Sequence, residues 1–155
     1  MSAYFLDSSA LVKRYRIEAG SAWIKMLMEP TAGHDITICE ITLSEVAAAL
    51  AAAHRAPGGI SRTERDAAVS LFLGHCATRY GLLGVVRSTV RLAVNLTQAY
   101  RLRGCDAIQL AAALSANRGL LAAGLAPLTF VASDEDLLAA ARGEGLATEN
   151  PERHR

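Results

Sequence analysis

The chain has 155 residues, of which 52% are hydrophobic and 20% are charged, and its formal net charge is +1. This length suits one compact domain rather than two. The hydrophobic content excludes a disordered chain, and the nearly neutral charge excludes a strong overall field for nucleic acid. Acidic residues such as Glu45 and Asp106 interrupt the apolar stretches before they reach the ~20 residues of a membrane-spanning helix.

Predicted strands and helices alternate along the chain. The first half is predicted to contain a strand at 4–6, helices at 10–15 and 21–28, a strand at 35–39, and helices at 43–54 and 61–79. The second half is predicted to contain a strand at 82–86, helices at 88–102 and 106–117, a strand at 127–132, a helix at 135–142 and a short edge strand at 146–148.

This alternation predicts the fold class. Strands that alternate with helices form a parallel sheet with helices on both faces, so we expect a three-layer α/β/α sandwich with a mainly parallel central sheet. We expect a single domain at residues 1–150 and a polar carboxy-terminal tail at 151–155. The first residues lack a basic region ahead of an apolar one, which is not typical of a secretion signal. We therefore expect a cytoplasmic protein without a membrane segment.

Four acidic residues lie in otherwise apolar or small-residue surroundings. They are Asp7, Glu45, Asp106 and Asp134. Ligands of parallel sheets bind beyond the carboxyl ends of the strands, so Asp7 and Asp134, which follow strands, are expected at the same edge. Carboxylates that converge there repel one another unless a divalent cation neutralises them. Oxygen ligands without His or Cys favour Mg²⁺ or Mn²⁺.

Each of these acids also has an ordinary structural explanation. Asp7, Asp106 and Asp134 could cap the amino termini of helices. Glu45, three residues after Thr42, could complete a capping box. The residue pattern alone leaves both explanations open, although other predicted helix starts use Ser or Thr.

The four acids lie in four short segments that span most of the chain. These segments are YFLDSSALVK at residues 4–13, TLSEV at 42–46, CDAIQLA at 105–111 and FVASD at 130–134. In this order they resemble the PIN-domain nucleases, in particular the VapC toxins of bacterial toxin–antitoxin pairs. The resemblance continues through residues 144–146 and 150–151.

This resemblance implies a PIN-like fold and an Mg²⁺-dependent (or Mn²⁺-dependent) endoribonuclease that leaves 5′-phosphate and 3′-hydroxyl ends. The family's catalytic, metal-binding acids match Asp7, Glu45, Asp106 and Asp134. Asp7 and Asp106 match direct metal ligands, while Asp134 and Glu45 would complete the ligand shell, hold a second ion or steer the attacking water. Ser8 matches a small hydroxyl residue that helps to orient the site.

The resemblance also implies partners. These are an RNA substrate, a small VapB-like antitoxin that inhibits the toxin, and a second copy of the chain in a homodimer. Basic residues near the predicted site are candidates for RNA contact, namely Lys13, Arg14, Arg16, Arg101 and Arg103.

Two other functions fit parts of the pattern. A non-catalytic PIN-like module would bind RNA or protein while its acids serve as helix caps. A phosphohydrolase is disfavoured, because Asp7 is not followed by a second Asp two residues later. The chain also lacks a glycine-rich phosphate loop followed by Lys, which excludes nucleoside triphosphatases.

Overall fold

Strands and helices alternate along the chain in a computed structural model that describes residues 1–154. The strands are β1 (Ala3–Leu6), β2 (Asp35–Cys39), β3 (Gly81–Leu83), β4 (Thr129–Val131) and β5 (Ala147–Glu149). The α-helices are α1 (Ser8–Leu11), α2 (Ser21–Leu27), α3 (Ile41–Arg55), α4 (Arg62–Thr78), α5 (Arg87–Ala99), α6 (Gly104–Ala122) and α7 (Glu135–Gly143). Short 3₁₀ turns follow at Val12–Arg14, Pro30–Ala32 and Pro151–Arg153.

The five strands form one sheet in the order β3-β2-β1-β4-β5, and all four pairings are parallel. Strand β1 is therefore central, with Phe5 opposite Thr37 of β2 and Phe130 of β4. The Phe5 and Phe130 rings stack at a centroid distance of 5.8 Å. The prediction of a mainly parallel sheet is confirmed.

Helices cover both faces of this sheet, each over its own apolar core. Successive side chains of a strand point to opposite faces, so Phe5 and Leu6 enter different cores. Phe5 packs with residues of α5, α6 and α7, including Leu110. Leu6 packs with residues of α1 to α4, including Val46. This arrangement confirms the three-layer sandwich.

Helix α6 is longer at both ends than its predicted range of 106–117. It begins at Gly104 because Arg103, in extended conformation, holds the N-cap position. It passes through Gly119 and ends only before Gly124, whose positive φ of 71° suits a glycine that terminates a helix. Even so, no helix within residues 1–154 combines the length and hydropathy needed to cross a bilayer.

Helix α5 starts differently from its prediction. Ser88 or Thr89 was expected at the N-cap, but the helix begins at Arg87 and Val86 holds that position. The Thr89 hydroxyl accepts a hydrogen bond from the Val86 backbone N–H at 3.4 Å. The hydroxyl residue therefore supports the helix start from inside the first turn.

Residues 151–154, predicted only as part of a polar tail, pack against the amino-terminal part of the domain. Pro151 is buried and lies against Gly20. A Cβ atom on Gly20 would come within 2.7 Å of Pro151, and its φ of +85° also favours glycine. The His154 ring stacks on Trp23, with centroids 4.2 Å apart and an interplanar angle of 5°. Arg155, the end of the predicted tail, lies outside the described residues.

The contacts of His154 can be tested by its removal. We expect His154→Ala to lower the free energy of unfolding by about 1 kcal/mol, because a stacked aromatic pair adds ~0.5–1.5 kcal/mol beyond its burial. Urea unfolding followed by far-ultraviolet circular dichroism measures the change. Arg62→Ala, at an exposed position of α4, is the control. A loss no larger than that of the control would contradict the structural role of His154.

Candidate active site

The four predicted acids meet beyond the carboxyl ends of the central strands. Asp7 follows β1, and its backbone N–H donates to the Val131 carbonyl of β4 at 3.1 Å. Asp134 follows β4, Glu45 extends from α3, and Asp106 lies in the first turn of α6. All four line one cavity of about 200 Å³. The structure thus brings together every acid that the sequence singled out.

Asp7 is the most buried of these acids, with 3% of its surface exposed. Its carboxylate caps α1, accepting a hydrogen bond from the Ala10 N–H at 3.1 Å. The Ser9 hydroxyl donates to the same oxygen at 2.7 Å and accepts from the Ser133 N–H at 2.9 Å. Ser9, rather than the predicted Ser8, therefore makes the hydroxyl contact that orients Asp7. Ser8, which the resemblance matched to the orienting hydroxyl residue, lines the same cavity.

Burial controls the charge of Asp7. It raises the pKa of this carboxyl from 3.8 to about 7. Hydrogen bonds from Ser9 and Ala10 act in the opposite direction, while the negative charge of Asp106 raises the pKa further. A buried carboxylate with so raised a pKa calls for positive charge nearby if it is to stay ionised at neutral pH.

Asp134 and Asp106 lie at helix starts but differ in role. Asp134 is the N-cap of α7 and accepts from the Leu137 N–H at 2.9 Å. Asp106 is not a cap, because Arg103 holds that position. Instead, its carboxylate accepts from Arg103 Nε at 3.3 Å. Asp7 and Asp134 are therefore helix caps, as the sequence allowed, and both also line the cavity.

Glu45 does not form the predicted capping box with Thr42. Helix α3 begins at Ile41, so Glu45 lies a full turn inside it. Its carboxylate instead accepts from Gln109 Nε2 at 2.8 Å, and the same nitrogen donates to Thr42 Oγ1 at 2.8 Å. Sequence reasoning assigned no role to Gln109. Its position in the sequence could have indicated a role, because Gln109 lies three residues after Asp106 and therefore on the same side of α6.

The donor set of the cavity fits a hard divalent cation. It consists of carboxylate oxygens without His or Cys, which Mg²⁺ and Mn²⁺ prefer. A cation there would also keep the desolvated Asp7 ionised at neutral pH. Within residues 1–154, however, no three acidic, His or Cys side chains stand close enough to form a ready-made metal site. The structure supplies the donors without a preassembled coordination sphere.

The basic residues expected near the site differ in their surroundings. Lys13 is only 3% exposed, and its Nζ lies 2.9 Å from both Glu18 Oε1 and Glu152 Oε1. The prediction of RNA contact by Lys13 is therefore wrong, because this ammonium is buried in an ion-pair network. The network attaches the turn after α1 to the carboxy-terminal turn.

Two arginines remain beside the carboxylates. Arg103 is 87% exposed and lines the carboxylate cavity. Arg101 and Arg103 also line a neighbouring cavity of about 430 Å³, which shares Asp106 and Asp134 with the first. The acids therefore open onto a wider groove that holds these two arginines together with Asp106, Asp134 and Asp136.

Comparisons with known proteins identify the family. The profile of the PIN domain matches residues 4–143. The chain belongs to the PIN domain family. The resemblance found in the four acidic segments is thus confirmed. A comparison with curated protein sequences finds no match.

Solved structures share the PIN fold of this chain. VapBC2 from Rickettsia felis, bound to a DNA fragment from its promoter, is 14% identical with a TM-score of 0.62, covering 96% of this chain and 98% of that one. A toxin–antitoxin complex from Klebsiella pneumoniae is 19% identical with a TM-score of 0.59, covering 97% and 98%. VapC20 from Mycobacterium tuberculosis, a sarcin–ricin loop cleaving toxin, is 19% identical with a TM-score of 0.58, covering 88% and 94%.

The raised pKa of Asp7 predicts how stability depends on pH. Because the pKa in the folded state is about 7 and the ordinary value is 3.8, the folded protein binds more protons between these values. Its stability should therefore fall as the pH rises from 4 to 7. Asp7→Asn retains a cap acceptor and removes the charge, so it should stabilise the metal-free protein at pH 8 by up to ~4 kcal/mol.

Urea unfolding in EDTA at pH 4.5, 6 and 8 measures this effect. Asp35→Asn, at an exposed position on the opposite edge of the sheet, is the matched control and should retain the wild-type pH dependence. If Asp7→Asn retains it as well, the buried carboxyl does not have the raised pKa.

Proposed function

We propose that this PIN-domain protein is a divalent-metal-dependent endoribonuclease that acts as the toxin of a toxin–antitoxin pair. The observation that carries the proposal is the convergence of four carboxylates, from four separate elements, on one cavity in which Asp7 is desolvated. Perturbed acids in a cleft are typical of functional sites. The similarity to VapC20, a sarcin–ricin loop cleaving toxin, supports RNA as the substrate class.

In this proposal Asp7 and Asp106 hold Mg²⁺ or Mn²⁺, and Asp134 and Glu45 complete the ligand set, hold a second ion or steer the attacking water. The ion would lower the pKa of a bound water and neutralise charge on the phosphodiester. The protein contributes the orientation of these oxygens. The Ser9 hydroxyl fixes the rotation of Asp7, and the Leu137 N–H fixes that of Asp134.

Removal of a ligand carboxylate should abolish cleavage without unfolding the protein. We expect Asp7→Asn and Asp106→Asn to reduce the single-turnover rate on a pool of RNA oligonucleotides by about 100-fold or more, a loss of at least ~2.7 kcal/mol in transition-state stabilisation. EDTA should stop the wild-type reaction and Mn²⁺ should restore it. Mass spectrometry should show 5′-phosphate and 3′-hydroxyl ends.

The control for this experiment is again Asp35→Asn, which should cleave at the wild-type rate. Circular dichroism of every variant establishes that the fold is intact. Wild-type cleavage by Asp7→Asn in Mg²⁺ would overturn the metal-ligand assignment.

A second function is favoured by two observations. Asp7 and Asp134 both serve as helix caps, and no three-ligand metal site is preassembled within the described residues. A non-catalytic PIN-like module that binds RNA or protein would have both properties. It would retain RNA in EDTA and release no products, so the same assays separate the two functions.

The groove beside the acids is the RNA-binding site in this proposal. Arg101 and Arg103 are exposed there, and arginine guanidinium groups bind phosphate through paired hydrogen bonds. An RNA strand along this groove would bring a phosphodiester next to Asp106 and Asp134. Action on cellular RNA would place the protein in the cytoplasm.

We propose a small antitoxin and a second copy of the chain as protein partners. The similar structures include a toxin–antitoxin complex and VapBC2, which supports the antitoxin. An exposed apolar stripe on α5, formed by Val86, Val90 and Val94, supports a homodimer. These side chains are four residues apart and share one face of the helix.

Introduction of a charge into this valine stripe tests the homodimer. We expect Val90→Asp to convert a dimer into a monomer, because a carboxylate in an apolar interface loses its hydration. Size-exclusion chromatography with light scattering measures the mass. Asn95→Asp, at an exposed position on another side of the same helix, is the control. A dimer of undiminished stability in Val90→Asp would exclude this stripe from the interface.

A further inference from the structure

Gln109 is a polar residue in an otherwise apolar part of α6. It is 1% exposed, and its neighbours Ala107, Leu110 and Ala111 all belong to the core. Its Nε2 donates to Glu45 Oε1 and to Thr42 Oγ1, whereas its Oε1 is buried and has no hydrogen-bond partner among residues 1–154. A buried amide with an unsatisfied oxygen disfavours folding. The fold therefore tolerates Gln109 at a cost that an apolar residue would avoid.

The two acceptors fix the orientation of this amide. Rotation by 180° would bring the carbonyl oxygen of Gln109 against the carboxylate of Glu45, and two acceptors repel each other. The observed orientation directs both N–H bonds toward α3. Gln109 thus presents a hydrogen-bond donor to the Glu45 carboxyl group.

The hydrogen bond also connects the two helical layers. Helix α3 packs on one face of the sheet and α6 on the other, with Val46 and Leu110 in separate cores. Gln109 of α6 nevertheless reaches Glu45 of α3 at 2.8 Å. Within residues 1–154, no other hydrogen bond to the Glu45 carboxylate is formed. Glu45 therefore depends on Gln109 for its rotamer.

We propose that Gln109 is a positioning residue that holds the Glu45 carboxylate in the cavity, and so sets both its distance from Asp106 and its readiness to bind a divalent cation. The inference rests on the proposed nuclease function and adds a residue that does not itself touch the reacting atoms. Groups that orient metal-binding carboxylates in this way affect metal affinity or activity by about 10–100-fold.

Replacement of the amide by an apolar chain of similar length tests the proposal. In Gln109→Met, Glu45 loses its donor and gains rotational freedom. We expect the affinity for Mn²⁺, measured by calorimetry without RNA, to fall about 10-fold or more. We expect kcat for RNA cleavage to fall with it, while KM for RNA changes little.

A double-mutant cycle separates positioning from a general structural effect. If Gln109 acts through Glu45, then Gln109→Met should cause no further loss of Mn²⁺ affinity in a Glu45→Gln background. Asn117→Leu is the matched control on the same helix. It removes an amide that accepts from the Leu128 N–H at 3.0 Å, far from the cavity. It should lower the melting temperature and leave the Mn²⁺ affinity of the folded protein unchanged.

If Gln109→Met does not fold, nuclear magnetic resonance spectroscopy of other variants tests the same hydrogen bond. The side-chain amide signals of Gln109 in a ¹⁵N–¹H correlation spectrum of the metal-free protein should move when Glu45 is replaced by Ala, because the amide loses its carboxylate acceptor. Signals that stay in place would overturn the proposal.

The possible failures are distinguishable. A wild-type protein that neither binds Mn²⁺ nor cleaves RNA overturns the proposed nuclease function, and the role of Gln109 with it. A wild-type protein that does both, with Gln109→Met unchanged or with losses that add to those of Glu45→Gln, overturns only the role of Gln109.

Discussion

A desolvated carboxylate at the end of the central strand is the constraint on which the rest of the site depends. Strand β1 has a neighbour on each side, so Asp7 emerges where the sheet and the start of α1 exclude water. Two hydrogen bonds, from Ser9 and Ala10, only partly offset the loss of hydration. A positive charge at this edge of the domain would lower the remaining cost.

The layered architecture decides which other acids share that edge. Helices α3 and α6 pack over different faces of the sheet, and Glu45 and Asp106 lie near the starts of these helices. Glu45 and Asp106 therefore reach the same cavity from opposite sides. The hydrogen bond from Gln109 to Glu45 crosses between the layers at this point.

Sequence reasoning succeeded where position follows from topology. Asp7 and Asp134 each follow a strand, and the carboxyl ends of parallel strands lie at one edge, so their proximity could be predicted. It failed where the direction of a side chain decides the contact. Ser8 and Ser9 are adjacent and alike and both line the cavity, but it is the Ser9 hydroxyl that bonds Asp7. Lys13 was expected at the surface, yet Glu152, distant in sequence, is bound to it.

The sequence by itself determined the alternation of strands and helices and the parallel sheet, because these depend on local patterns and on rules that hold for every parallel sheet. The four acids stood out by their apolar surroundings, and the resemblance to the PIN-domain nucleases joined them into one site. Tertiary structure alone decided which hydroxyl orients Asp7, that Gln109 bonds Glu45, and that residues 151–154 pack on α2. Each of those contacts joins side chains whose meeting depends on how whole elements pack, and local sequence carries no signal of the partner.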